Sequence, residues 1–161
     1  MKLTVRDIAV IAMQAAILIA GKEALAAVPG IEIVTLLIIM FTMYLGKKIF
    51  VAVFVFAGVE CLIYGIGLWT IMYLYVWPLL ALFTWVMRKQ DSVWFWSIVS
   101  GIYGLCFGLL CSVPYLVAGG FKTALAWWVS GIPYDVAHGI GNFVVTLVLY
   151  VPLKNILKRI K

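Results

Sequence analysis

One stretch of the chain, Trp127–Asn142, gathers aromatic and polar residues within an otherwise apolar sequence and reads WWVSGIPYDVAHGIGN. Pro133 suits the first turn of a helix, where the missing N–H of proline has no partner to lose. Asp135, His138 and Asn142 follow at a spacing that puts them on one helical face. An apolar helix with a polar face at one end requires a wet cavity or a polar partner. We therefore expect the rest of the chain to form the wall of a cavity.

The composition supports this picture, because 66% of the 161 residues are hydrophobic and only 11% are charged. The mean hydropathy is +1.18, and a soluble domain of this length could not bury so much apolar surface. We therefore predict an all-α integral membrane protein that forms a single domain over residues 1–161. The three cysteines lie in apolar runs without ligand spacing, which argues against a disulfide framework and a zinc site. No metal and no cofactor are expected.

Six apolar segments are predicted to cross the membrane as a compact bundle of helices: about 7–27, 31–46, 50–68, 69–87, 93–117 and 134–153. Each is near the roughly 20 residues that a bilayer core requires. The first is expected to be a retained helix, since Lys22 and Glu23 interrupt the approach to a signal-peptidase-like site. The fifth should bend at Pro114, and residues 119–130 should form a loop or a short interfacial helix.

Basic residues divide unequally between the two sides of such a bundle. One side would hold only Lys22 and Lys122, and the other would hold Lys2, Arg6, Lys47, Lys48, Arg88, Lys89, Lys154, Lys158, Arg159 and Lys161. Because cytoplasmic ends of membrane helices carry the excess of lysine and arginine, both chain termini are predicted to be cytoplasmic. The stretch Trp127–Asn142 would then open to the outside of a multi-pass plasma-membrane protein.

The outer ends of these spans carry the candidate binding residues. Aromatic residues there either anchor the helices at the membrane interface or line a pocket for a flat ligand. Glu60, the only carboxylate deep inside a span, would contact a ligand, bond to a neighbouring helix or stay neutral. Glu32 is expected to cap the second helix rather than to line the pocket. The predicted substrate-binding residues are Glu60, Tyr64, Trp69, Tyr73, Trp128, Tyr134, Asp135, His138 and Asn142.

Small residues form a second feature, on the first helix. Ala9, Ala12, Ala16 and Ala20 recur on one helical face, which lets another helix approach closely. The face would pack within the bundle or dock a separate subunit.

The segment Ala12-Met-Gln-Ala-Ala16 resembles the AxxxA motif of the substrate-binding S components of energy-coupling factor transporters. The length, the six short spans and the stretch 28–37 after the first helix fit the same family. The resemblance implies a subunit that captures a vitamin or its precursor from outside a prokaryotic cell with high affinity. It also implies partners: a transmembrane coupling subunit, which would dock on Ala12 and Ala16, and two ATPase subunits. A flat polar heterocycle, such as a pyridoxine-, pyrimidine- or thiamine-like compound, would fit the aromatic pocket.

A different class of protein remains open, an autonomous secondary carrier or channel that uses Glu60 or His138 to carry protons. The absence of an inverted repeat counts against it. The chain has neither a phosphate-binding loop nor a motif of hydrolytic catalysis. It is therefore expected not to be an enzyme, and ATP hydrolysis would belong to partner subunits.

Overall fold

A computed structural model describes residues 3–160, and within this range the chain is helical almost throughout, without a strand. The helices are α1 Val5–Leu25, α2 Val34–Leu45, α3 Ile49–Tyr64, α4 Leu68–Met87, α5 Val93–Leu105, α6 Phe107–Cys111 and α7 Val113–Ile160. A 3₁₀ turn, Gly46–Lys48, joins α2 to α3. Lys2 and Lys161, two of the basic residues counted above, lie outside the described residues, as do the two chain ends.

Four segments of the described chain are long and apolar enough to cross a membrane: Val5–Leu25, Val34–Tyr64, Leu68–Met87 and Val113–Arg159. Helix α5 is also apolar but has only 13 residues. Large apolar side chains cover much of the surface, and Leu62 and Ile66, for example, are 86% and 88% exposed. Lipid tolerates such a surface and water does not. The all-helical fold is thus compatible with a multi-pass membrane protein.

Helix α7 differs from the prediction for residues 119–130, because the chain is helical from residue 121 to residue 160. Of the two alternatives for these residues, the loop is therefore wrong, and the helix found there is long rather than short. Pro133 lies inside this helix and not in its first turn. The only break falls at Gly120, whose φ of 76° and ψ of −178° are open almost only to glycine. The rings of Tyr115 and Trp127 stack at 4.1 Å across this break. Twelve residues of straight helix would separate them by about 18 Å, so the chain folds back at Gly120.

The fifth predicted span, 93–117, is also divided differently. Its interruptions fall at Cys106 and Ser112, between α5, α6 and α7, and Pro114 lies in the first turn of α7. Helix α5 packs closely on α7, with the backbones nearly in contact where Gly104 meets Gly139. A Cβ on Gly104 would lie 2.9 Å from the Cα of Gly139. Small residues permit this close approach of two helices.

Ion pairs close the bundle at both ends. At one end Lys48 contacts Asp7 at 2.7 Å, and Lys154 pairs with Asp91. We call this the basic end, because Lys47 and Arg88 also meet there, over the ring of Trp85. At the opposite end Lys22 of α1 pairs with Glu60 of α3. Fully buried apolar side chains fill the space between the two ends, among them Ile38, Ile39, Met40, Phe56, Val76 and Trp96.

The alanine face of α1 points away from this core. Ala9, Ala12, Ala16 and Ala20 are all exposed, whereas Ile11, Ala15 and Leu18 on the other side of the helix are buried. Packing of the alanines within the same bundle, one of the two alternatives from the sequence, is therefore wrong.

Asp91 links the connection between α4 and α5 to α7, because its carboxylate also accepts a hydrogen bond from Tyr150 at 3.2 Å. The Lys154 ammonium lowers the pKa of the Asp91 carboxyl. Its stabilising contribution is therefore complete above the unfolded-state pKa, near 3.9, and is lost as the pH falls through the lower folded-state value.

We expect Asp91→Asn to destabilise the protein by less than about 1 kcal/mol at neutral pH, because a half-exposed ion pair is screened by water. Thermal unfolding of the purified protein and variant would measure this, and the difference should shrink near pH 2. Equal melting temperatures at pH 7 would contradict a stabilising role for the pair.

Candidate functional site

Three adjoining cavities open at the end opposite the basic end, and Tyr73 of α4 lines all of them. We call them together the aromatic cleft and name each by its acidic residue. The Glu32 chamber, about 330 Å³, lies beside the loop that joins α1 to α2. The Glu60 chamber, about 260 Å³, lies between α1, α3 and α4. The Asp135 chamber, about 360 Å³, lies between α4, α6 and α7.

One face of α4 supplies the aromatic wall between these chambers. Trp69, Tyr73 and Trp77 stand four residues apart, so they share this face. The Tyr73 ring meets the Trp69 ring at 5.3 Å and the Trp77 ring at 5.4 Å, both edge to face. Phe107 of α6 extends the row, at 5.6 Å from Trp77. The wall therefore offers both ring faces and ring edges to a flat partner.

Lys22 resolves the question that the sequence left open for Glu60. The carboxylate is 1% exposed, and its Oε2 atom accepts a hydrogen bond from the Lys22 ammonium. Lys22 also lies 4.2 Å above the ring of Tyr64, and Tyr64 donates to Glu23 at 2.7 Å. Glu60 is therefore paired with a neighbouring helix, and it also lines the Glu60 chamber.

Glu32 and His138 meet across the Glu32 chamber. The Oε2 atom of Glu32 accepts the backbone N–H of Thr35 at 2.9 Å, so Glu32 caps α2 as predicted. Its Oε1 atom lies 3.6 Å from Nε2 of His138, and both residues line the chamber. Glu32 thus caps the helix as predicted, but it also lines the pocket, so the expectation of a cap rather than a pocket residue is wrong. The His138 ring also contacts Phe107 and Tyr134, at 5.2 Å and 5.5 Å.

Asp135 lies one helical turn before His138 and faces another chamber. Its Oδ1 atom accepts the backbone N–H of Gly108 at 2.9 Å. Gly108 is required there, because a Cβ at this position would lie 2.3 Å from Oδ2 of Asp135. Two helices therefore hold the carboxylate at the wall of the Asp135 chamber.

The cleft brings together most of the predicted binding residues. Seven line at least one chamber: Glu60, Tyr64, Trp69, Tyr73, Tyr134, Asp135 and His138. Asn142 does not, because it lies 1% exposed in the core and donates to Thr35 at 3.3 Å. Trp128 lines none of the chambers either, and its neighbour Trp127 lines the Asp135 chamber instead.

Several wall residues were not among the predicted binding residues: Lys22, Glu32, Trp77, Phe107 and Trp127. Trp77 continues the four-residue spacing of Trp69 and Tyr73, which was a usable signal. Lys22 is the one basic residue close to the outer end of the first predicted span, and a buried carboxylate such as Glu60 requires a cation. Phe107 carries no comparable signal, because it lies in a long apolar run.

Buried polar atoms of the cleft lack hydrogen-bond partners among the described residues. They are Oε1 of Glu32, Oε1 of Glu60, Nε1 of Trp77, Oδ2 of Asp135 and both ring nitrogens of His138. Buried polar groups normally have partners, so such a set indicates a place for a ligand or water. Donors, acceptors and aromatic rings together suit a flat polar molecule. In residues 3–160 no three histidine, cysteine or acidic side chains converge as metal ligands would.

Fold and site together define an all-α protein with membrane-spanning potential and a ligand-sized cleft at one end. Comparison with protein-family models, curated proteins and solved structures finds no match to the chain.

The Lys22–Glu60 pair gives a prediction about stability. Lys22→Met should destabilise the protein. Removing one partner of a fully buried pair costs about 3–5 kcal/mol, and the loss here should be somewhat smaller because Lys22 is partly exposed. The double variant Lys22→Met/Glu60→Gln should regain most of the loss, because no buried charge is then left unpaired.

Thermal unfolding in a fixed detergent would measure both variants. Lys122→Met is the matched control, since Lys122 is exposed and forms no ion pair with a described residue. If Lys22→Met is as stable as this control, the pair does not stabilise the fold.

Proposed function

We propose that the chain is the substrate-binding S component of an energy-coupling factor importer, embedded in the plasma membrane of a prokaryote. In this function it captures a small vitamin or vitamin precursor from outside, as a flat polar heterocycle. It then delivers this cargo by docking on a transmembrane coupling subunit that two ATPase subunits drive. The protein itself is not an enzyme in this proposal. The observation that carries the proposal is the aromatic cleft with its unpartnered polar atoms.

The size of the cleft supports capture of a small molecule. Chambers of about 330 Å³ and 360 Å³ fall in the range of sites for compact organic ligands. Carboxylate, imidazole and indole groups would fix the edge of a heterocycle, and the rings of α4 would stack on its faces.

Two observations count against the alternative of a channel or proton-coupled carrier. A channel requires a polar path through the bundle, but fully buried apolar residues such as Ile38 and Phe56 lie between the cleft and the basic end. A proton-carrying Glu60 would have to bind and release its proton, but its carboxylate is held by the Lys22 ammonium.

The exposed alanine face supports docking of a partner helix. Ala12 and Ala16 leave the backbone of α1 open to close approach, and no described residue covers them. A transmembrane coupling subunit is the partner that the family resemblance implies for this face.

Six membrane spans with cytoplasmic termini are part of the proposal. The Val34–Tyr64 segment would supply two spans, because the 3₁₀ turn at Gly46–Lys48 joins two helices there. Helices α5 and α6 with the start of α7 would supply the fifth, and the rest of α7 the sixth. Support comes from the basic end, where residues from the α2–α3 turn, α4 and α7 gather.

Cysteine labelling tests this topology. In a background without the three native cysteines, Lys122→Cys should react with an impermeant maleimide on intact cells. Lys47→Cys and Lys89→Cys should react only after lysis, because cytoplasmic ends carry the basic pairs. All three positions are exposed, so access to reagent is comparable. The reverse pattern would overturn the orientation and put the cleft inside the cell.

Docking gives the decisive test of the proposed function. From cell membranes, the tagged chain should co-purify with a transmembrane subunit and two ATPases. Ala12→Trp or Ala16→Trp should abolish this co-purification, because an indole fills the space that a partner helix needs. The variants should keep the small molecule that extraction and mass spectrometry find on the unaltered protein.

Val148→Trp is the matched control, since it adds the same indole at an exposed position of α7. It should co-purify with the partners normally. Absence of any ATPase with the unaltered chain would overturn the proposal, and normal co-purification of both alanine variants would move the docking face elsewhere.

A further inference from the structure

The Asp135 chamber differs from the other two in the charges of its wall. Asp135 is the only charged residue among the described residues that line it. The rest of the wall is aromatic, apolar or neutral and includes the rings of Trp69, Tyr73, Trp127 and Tyr134. The chamber is thus a negatively charged pocket with aromatic sides.

The charge of Asp135 is not compensated within the described chain. All six acidic residues lie in residues 3–160, and five of them contact a lysine or histidine nitrogen: Asp7, Glu23, Glu32, Glu60 and Asp91. Asp135 alone makes no such contact with a residue that the structure describes. The residue is 4% exposed, and its Oδ2 atom is buried without a hydrogen-bond donor from the described residues.

The carboxylate is also fixed in position. The N–H of Gly108 holds Oδ1, and the absence of a side chain at Gly108 makes room for Oδ2. An isolated carboxylate in an apolar wall is unfavourable unless a cation or a donor reaches it. No lysine or arginine lines the chamber, so the missing partner must come from outside the described chain.

Aromatic rings determine what kind of partner fits. The faces of tryptophan and tyrosine attract a cation, most strongly one that is poorly hydrated, such as an alkylated or heterocyclic nitrogen. The cavity of about 360 Å³ is large enough for an aromatic ring with its substituents. Small inorganic cations prefer several oxygen ligands, which this wall does not supply.

We propose that the Asp135 chamber binds the positively charged group of the ligand, an organic cation with its nitrogen in or beside a flat ring. Asp135 is the counterion, and the rings around the chamber surround the cation. The inference rests on the proposed function, since it assigns a charge to the cargo of the same cleft. The uncharged part of the ligand would extend along Tyr73 toward the Glu60 and Glu32 chambers.

Calorimetry with a matched pair of probes tests this charge preference. The cation 1-methylnicotinamide and the neutral 3-methylbenzamide have nearly the same shape and differ in a ring nitrogen that carries the charge. The purified protein should bind the cation about tenfold more tightly than the neutral probe. Asp135→Asn should abolish that difference, and the affinity for the neutral probe should stay unchanged, because the amide oxygen can still accept the Gly108 N–H.

Two further variants make the result specific. Asp7→Asn removes a carboxylate at the basic end, far from the cleft, and should keep the tenfold preference. Trp127→Leu removes one ring of the chamber and should weaken binding of the cation more than binding of the neutral probe. Size-exclusion profiles and melting temperatures would establish that each variant is folded.

Equal affinity for the two probes, tighter binding of the neutral probe, no detectable binding of either, or a preference that survives Asp135→Asn would each overturn the cation site. None of these results affects co-purification with ATPase subunits, which tests the importer role. Conversely, a chain that purifies alone but discriminates between the probes through Asp135 would keep the cation site and lose the importer role.

Discussion

The ion pair between Lys22 and Glu60 is the interaction on which the cleft depends. It joins the last turn of α1 to the last turns of α3, at a depth where Glu60 is 1% exposed. The Glu60 carboxylate would be unfavourable there without its partner, because a fully buried charge left unpaired costs on the order of 3–5 kcal/mol. The pair therefore fixes the mouth of the cleft before a ligand arrives. Tyr64, stacked on Lys22, completes this wall.

The three acidic residues of the cleft differ in whether a basic side chain of the same chain lies beside them. Glu60 gives one oxygen to Lys22 and has its Oε1 atom left to accept a hydrogen bond. Glu32 gives one oxygen to the Thr35 N–H and turns the other toward His138. Asp135 pairs with no cation among residues 3–160, and it supplies the one carboxyl group on the wall of its chamber. A ligand with an uncharged polar edge and a cationic end would satisfy both regions. Because the wall is held by helix-to-helix contacts, little of the binding energy would be lost in ordering it.

The sequence predicted the helical class and most of the cleft, because these depend on local spacing. Trp69 and Tyr73 share a face by their four-residue separation, and Glu60 is conspicuous as a charge in an apolar run. The partner of Glu60 was not predicted, since Lys22 lies 38 residues away and the pairing depends on how α1 packs on α3. Trp128 was predicted to line the cleft, but Trp127 does so instead. Adjacent residues point about 100° apart on a helix, and which of the two faces the chamber depends on how α7 packs after its bend at Gly120. The prediction that Pro133 lies in the first turn of a helix was wrong, because an apolar helix can continue through proline when its surroundings satisfy the freed carbonyl.

Helix α1 carries both surfaces of the proposed function on two different faces. Its exposed side presents Ala12 and Ala16, and its last turn holds Lys22 in the wall of the cleft. A partner helix seated on the alanines would press on an element whose far end bears the ion pair with Glu60. Any shift of α1 that moved Lys22 away from Glu60 would weaken that pair, because the attraction between two charges falls as they separate. Docking and ligand release would then be linked through one rigid helix, without a separate signalling element.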